Sequence, residues 1–327
     1  MALDMNPPAG AATFLHSLGW GGANILPLAG DASFRRYFRI ADHGRSAILM
    51  DAPPPHEDPR PFIHVAQWLS ERGFPAPRII GDDLEQGLVL LEDFGDARMR
   101  ETVDAAPESL VRLYEAAVDI LIRLGAEPAG PWRAYDRAEL HREADLLVEW
   151  YCPAVGLTVD AEGYHAAWEQ VFAPALPAEP VTVLRDYHAE NLMLIGGTEA
   201  LGLLDFQDAL AGHPAYDLVS LLQDARRDVE PEIERAMLDR YRRITGVGAD
   251  FDAAYHVLGA QRNAKIVGIF TRLWRRDGKP RYAALCPRVW RYLNRDLDHP
   301  ALAPVKAWFD ANIPPESRGD PMEIAGQ

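Results

Sequence analysis

Cysteine is nearly absent. Cys152 and Cys286 are the only two in 327 residues, too few for a disulfide framework, which points to a reducing cytoplasm. Long apolar runs are missing as well; no uninterrupted stretch of about 18 apolar residues exists to cross a bilayer. Basic residues are outnumbered, 33 Lys and Arg against 49 Asp and Glu, for a formal charge of −16. That deficit argues against a nucleic-acid partner, whose phosphates are met by surplus Lys and Arg. The opening MALDMNPPAGAATF has no basic n-region and carries Asp4, so it does not read as a secretion signal. Solenoid repeats and low-complexity tracts are absent. What remains is ordinary globular usage, 48% hydrophobic and 25% charged. At about 150 residues per domain the length suggests two domains.

The first third reads as short strands. Residues 33–40 alternate, with Phe34, Arg36, Phe38 and Ile40 on one side and Arg35, Tyr37 and Arg39 on the other. Residues 45–50 form a second apolar run that must stop before Pro53-Pro54-Pro55. A helix is expected from Pro61 to Glu71 on the stripe Phe62, Val65, Ala66 and Leu69, with Gly73 at its stop. Two more strands are expected at 78–81 and 87–92. Beyond residue 108 the pattern turns helical, first through Leu110, Leu113, Ala117, Leu121 and Leu124, closed by Gly125. Further helices are expected at 137–151, 162–172, 214–225, 231–244 and 251–276, interrupted by β-like runs at 181–186 and 200–206. A small β-rich part followed by a larger helical part is the architecture to explain.

The strongest chemical signal is Leu184-Arg185-Asp186-Tyr187-His188-Ala189-Glu190-Asn191, followed by Leu203-Leu204-Asp205-Phe206-Gln207-Asp208. Phosphoryl transfer asks little of a protein: a carboxylate to orient the acceptor hydroxyl, and oxygen ligands for Mg²⁺ on the nucleotide phosphates. An Asp-x4-Asn loop flanked by apolar strands, with a second Asp on the next strand, supplies that set. Asp186 is then the base, with Asn191 and Asp205 as metal ligands. Singly, each reads more plainly as a turn cap; the ordered set does not.

This stretch resembles the aminoglycoside phosphotransferase/choline kinase branch of the protein-kinase-like fold. Ala215-Tyr216-Asp217-Leu218 fits as well, and the resemblance implies that Asp217 supports the loop backbone. It extends to Gly30-Asp31-Ala32-Ser33-Phe34-Arg35-Arg36-Tyr37, Leu90-Leu91-Glu92-Asp93-Phe94-Gly95-Asp96 and Arg262-Asn263-x-Lys265-Ile266-x-Gly268. Together these segments look like the bacterial anomeric sugar kinases acting at C1 of N-acetylmuramate and N-acetylglucosamine, in peptidoglycan recycling. The fold implied is α+β and two-lobed. Residues 1–95 would form a β-rich nucleotide-binding lobe ending at a hinge, and 96–327 a mostly helical lobe. Implied too are ATP and Mg²⁺, a small-molecule amino sugar as partner, a cytoplasmic monomer, and no nucleic-acid or membrane partner. Gly30, Asp31, Ala32, Ser33, Arg35, Arg36, Glu92 and Phe94 would meet the nucleotide, and His188 and Asp208 the acceptor. Asp93-Phe94-Gly95 spells a metal motif but precedes the catalytic loop, so Asp205 takes the metal.

One departure is serious. The strand at 45–50 should carry a Lys for the α- and β-phosphates, yet it reads Ala47-Ile48-Leu49-Met50. Either Arg35 or Arg36 supplies that charge, or the protein is a pseudokinase; both arginines could equally lie on a solvated strand face. Residues 261–295 hold ten basic residues against Asp277 alone. On a helix, Arg262, Lys265, Arg272 and Arg276 fall within about 80° of one another. Such a row could meet the lactyl carboxylate of N-acetylmuramate, or snorkel into water. Glu143 and Glu149 could face the acceptor, although solvent-facing helix charges are commoner. Choline, aminoglycoside and homoserine kinases are the alternatives among enzymes.

Overall fold

The computed structural model describes residues 6–28 and 34–326. Gly30, Asp31, Ala32 and Ser33 lie outside them. The described chain groups into two compact units, one of residues 1–113 with 190–209, the other of 114–189 with 210–327.

The first unit holds an antiparallel sheet of five strands: β1 (Asn24–Pro27), β2 (Arg36–Asp42), β3 (Arg45–Asp51), β4 (Ile79–Asp83) and β5 (Leu88–Glu92), in the order β1-β2-β3-β5-β4. Its β2–β3 hairpin turns on His43 and Gly44, both at positive φ (46° and 85°). Two such residues match the right-handed twist of the flanking strands. The alternation expected in β2 holds from Arg36 onward. Phe38 and Ile40 are fully buried and join Ala47, Leu49, Leu88 and Leu90 beneath α1 (Ala11–Ser17), which contributes Phe14 and Leu15. Phe34, expected beside them, is 60% exposed because it precedes the strand. The opposite face carries Tyr37, Met50, Val89 and Leu91, with Tyr37 paired to Met50 and Met50 to Val89. Helix α2 (Arg60–Glu71) buries its expected stripe, and Phe62 stacks on Phe206 at 5.0 Å. The same unit contains α3 (Met99–Ala105) and the hairpin excursion that carries Asn191 and Asp205.

The second unit is helical. It runs through α4 (Leu110–Gly125), whose first turn belongs to the first unit, then α5 (Arg137–Ala144), the one-turn α6 (Cys152–Ala154) and α7 (Ala161–Val171). After the pair β6 (Val181–Val183) and β9 (Leu210–Gly212) come α8 (Ala215–Leu222), α9 (Pro231–Thr245) and α10 (Asp250–Arg275). It closes with α11 (Cys286–Leu297), α12 (Ala303–Asn312) and α13 (Pro321–Ala325). Helix α10 is the spine, packed against α5, α8 and α11. The helix expected over 137–151 is not continuous. It passes into a π-turn at Leu147–Tyr151, where Cys152 donates to the Leu147 carbonyl. Pro153 has no N–H to continue an α pattern, and such wide turns absorb the mismatch.

Candidate active site

The candidate residues fall in both units. In the first unit, β7 (Leu192–Leu194) and β8 (Leu201–Leu203) pair in the register Leu192↔Leu203, Met193↔Gly202, Leu194↔Leu201. The apolar flanks of Asn191 and Asp205 are therefore the two rails of one hairpin. The Leu204 N–H donates to the Asn191 carbonyl at 3.0 Å, bringing the two polar residues together. Asn191 Nδ2 donates to Asp205 Oδ2 at 3.3 Å, which leaves the amide oxygen directed elsewhere. Gln207 Nε2 donates to Asp205 Oδ1 at 2.9 Å, and Asp205 is exposed in the left-handed region, φ 59°. An exposed carboxylate beside a side-chain amide fits Mg²⁺, which uses one or two carboxylates and fills its shell with water and phosphate oxygens. Among the described residues no group of three or more His, Cys, Asp or Glu forms an all-protein metal cage.

Phe94 lies over this hairpin. A Cβ at Gly202 would meet its ring at 2.5 Å, so only glycine admits that approach. Glu92 is turned toward β4, accepting from Arg78 Nε at 3.1 Å. Asp93 is bound to β2 through Arg39 at 2.8 Å and accepts from Gly95 N–H at 2.8 Å. Asp93 thus secures the residues after β5.

The two arginines after the turn separate. Arg36 pairs with Asp51 across β2 and β3 at 2.5 Å. Arg35 pairs with Glu57 at 3.1 Å and lies against Tyr37, on the face of the sheet where Met50 replaces the expected Lys. Burial pushes the Tyr37 hydroxyl up to about 12, against the opposing pull of Arg35, and Asp205 raises it further. Arg35 and Asp205 are therefore both within electrostatic reach of one phenol.

In the second unit, the loop 184–189 leaves β6 and is held from below. Asp217, buried in α8, accepts from the Leu184 N–H at 2.7 Å and the Arg185 N–H at 2.9 Å. Burial pushes its carboxyl up to about 7 despite both donors. Ser220 Oγ donates to the Arg185 carbonyl at 3.1 Å, and Arg262 Nη2 donates to Ser220 Oγ at 2.7 Å. Tyr187 hooks its hydroxyl onto the Ala117 carbonyl at 2.8 Å. Asp186 is left half-buried at the bend. His188 is buried, with Arg226 Nη1 3.1 Å from its Nε2. A guanidinium can only donate, so in that contact the ring nitrogen is the acceptor. Asp208, in the first unit, is exposed.

The basic row on α10 is not a common solvated edge. Arg262 is 4% exposed and committed to Ser220. Lys265 is paired with Glu143 at 2.8 Å and also donates to the Tyr216 hydroxyl at 3.2 Å. Arg272 stays half-buried, its pKa lowered by burial and by Arg276. The members of the row lie at different depths, because α10 is buried on most of its circumference. Glu143 corrects the commoner reading of a helix charge. It is 1% exposed and bound by Arg185, Lys265 and the Tyr135 hydroxyl. Burial alone would raise its carboxyl, but Lys265 and Arg185 outweigh it and hold the group near 2. The sequence does carry that signal. Leu140, Ala144 and Leu147 sit three before, one after and four after Glu143, so it lies on the apolar stripe of α5.

Residues 24–257 match the phosphotransferase enzyme family, APH. The chain belongs to that family. It is 39% identical to an N-acetylmuramate/N-acetylglucosamine kinase of Caulobacter vibrioides, over 97% of this chain and 100% of the relative. It is 41% identical to a Pseudomonas aeruginosa enzyme of the same name, over 84% and 85%. Among solved structures, a choline kinase of Streptococcus pneumoniae superimposes with a TM-score of 0.62 at 14% identity, covering 89% of this chain and 96% of that one. An aminoglycoside-3'-phosphotransferase of type VIII gives 0.52 at 20%, over 76% and 96%. The fold is the protein-kinase-like one, a β-sheet N-terminal region with a helical remainder, and the chain is a kinase with ATP as its phosphoryl donor. No helix is long and apolar enough to cross a membrane among the described residues.

Proposed function

We propose that this kinase transfers the γ-phosphoryl group of ATP to the anomeric C1 hydroxyl of N-acetylmuramate and N-acetylglucosamine, in the recycling of cell-wall sugars. The observation that carries the reading is the kinship just described. Relatives at 36–41% identity, over 84–97% of this chain, bear that substrate pair in their names. Asp186 accepts the proton of the attacking hydroxyl, while Asn191 and Asp205 hold Mg²⁺, whose charge offsets that gathering on the phosphates. Phe94 and the residues around Gly30 to Ser33 bind the nucleotide. The enzyme works in the cytoplasm as a monomer. An ADP-release assay with both amino sugars, choline and an aminoglycoside tests this directly. Turnover with the sugars, and a product whose phosphate is on C1, is expected; turnover with choline or the aminoglycoside alone would reject it.

Arg35 is the cation that takes over from the missing Lys, since it shares the face of Tyr37 and Met50, and its partner Glu57 is more exposed than Asp51, the buried partner of Arg36 on the other face. A fixed charge aimed at developing anions is commonly worth 10²–10³ in turnover, roughly 2.7–4 kcal/mol. Arg35→Ala should lower kcat/KM for ATP on that scale. Arg36→Ala should act mainly through stability, because Asp51 is left buried without its partner. Negligible loss at Arg35 would support a pseudokinase or another cation.

The burial of Arg262 also changes which cation can read the lactyl carboxylate. Arg262→Ala should depress both sugars in parallel, because Ser220 and the loop carbonyl lose their support. Arg272→Ala should lower kcat/KM for N-acetylmuramate about tenfold, the scale of one charge-assisted hydrogen bond, and leave N-acetylglucosamine within about threefold. Parallel losses at Arg272 would make it structural.

A further inference from the structure

Arg185 stands directly before Asp186 in the left-handed region, φ 72°. An L residue enters that region at a cost, of order 1–3 kcal/mol, that its surroundings must offset. Its backbone is held on one side by Asp217 and Ser220. Its side chain is held on the other. Arg185 Nη2 ends on Glu143 Oε1, and the same oxygen is met by Lys265 Nζ at 2.8 Å, while the Tyr135 hydroxyl takes Oε2. The Tyr135 hydroxyl also lies 3.4 Å from Gln261 Oε1 of α10. One buried carboxylate therefore ties the loop to α5 and α10 and separates two cations that would otherwise repel.

Burial pulls the Arg185 guanidinium down and is the largest single influence, but Glu143 together with Tyr216, Tyr135 and Asp186 outweighs it and keeps the charge in place. A clamp of this kind transmits position. If the Arg185 side chain is released, the bend loses its tie to α5 and α10 on that side, and the carboxylate one residue later can shift. Small misplacements of a reacting group, near 1 Å, cost about 10²-fold in rate.

We propose that Glu143 is a positioning residue for phosphoryl transfer, fixing the Asp186 carboxylate through Arg185, with Lys265 bound to the same carboxylate oxygen. At 1% exposure Glu143 is out of reach of either substrate, so its effect passes through the loop. This rests on Asp186 being the base.

The test is a double-variant cycle on the full chain, read as kcat and KM for ATP and sugar, with Mg-nucleotide affinity by calorimetry. Glu143→Gln and Arg185→Met should each lower kcat by about 10–100-fold, with both KM values and nucleotide affinity within about threefold. Combined, they should cost no more than about threefold beyond Arg185→Met, because both remove one link. Losses that multiply, or an unchanged kcat in Glu143→Gln, would overturn the proposal. Should Glu143→Gln fail to fold, Glu143→Asp keeps the charge balance but retracts the carboxylate by one methylene. It should lower kcat several-fold at unchanged KM; wild-type kcat there would overturn it equally. Asp186→Asn separates the two claims. If that variant stays active, the base assignment fails; if it is dead while the Glu143 variants keep their kcat, the clamp alone fails.

Discussion

Asp186→Asn should retain folding and nucleotide binding while turnover falls by about 10²–10⁴, the range that general-base catalysis supplies. The substitution keeps size and hydrogen bonding but removes the proton acceptor. The loop should survive it, because the backbone bonds that shape it are kept. The His188 N–H donates to the Asp186 backbone carbonyl at 3.1 Å, a bond that Asn keeps, and Asp217 and Ser220 grip the preceding two residues. ADP release with saturating ATP and sugar measures the loss, and calorimetry with a non-hydrolysable nucleotide checks that binding is intact. Full activity would place the base elsewhere. A loss confined to KM would mean that Asp186 binds the acceptor without taking its proton.

Much of this was legible in the sequence, for reasons that differ from element to element. The sheet strands showed because β2, β3 and β5 bury one or both faces, which period-two patterns report. The loop Leu184–Asn191 and Asp205 showed because the hairpin rails Leu192–Leu194 and Leu201–Leu203 are almost wholly apolar. Helix α11 carries Val289, Trp290, Leu293 and Leu297 on one face. Counting charges over 261–295 leaves that spacing unused, and the elements beyond 276 go unread. Depth was the harder quantity. Arg262, Lys265 and Glu143 look like surface charges because charged residues seldom lie fully buried. Here they are paired across α5, α8, α10 and the loop, contacts between residues 42 to 122 positions apart. No local pattern encodes such a pairing. The separation of Arg35 from Arg36 was half legible. Alternation puts them on opposite faces, but only the structure shows their partners, buried Asp51 across the strands for Arg36 and the partly exposed Glu57 for Arg35.

The hairpin geometry makes the second large prediction. Asp205→Ala should abolish Mg²⁺-dependent nucleotide binding, because it removes the one carboxylate of the proposed pair and leaves Asn191 a neutral amide. Mg²⁺ dehydrates reluctantly and relies on one or two protein carboxylates with the phosphates, so losing one leaves little to hold it. The backbone at 205 argues for reading this with a second variant. Asp205 sits at φ 59°, a region that Asn and Asp tolerate better than Ala. Alanine could then disturb the turn as well as the ligand set. Asp205→Asn keeps the local conformation and the Gln207 contact while removing the charge. Calorimetry with and without Mg²⁺ should show the metal-dependent part of nucleotide binding lost in both variants, with the metal-free part unchanged in Asp205→Asn. Loss in Asp205→Ala alone would assign the effect to the strained turn. Unchanged Mg-nucleotide affinity in both would remove Asp205 from the metal site altogether.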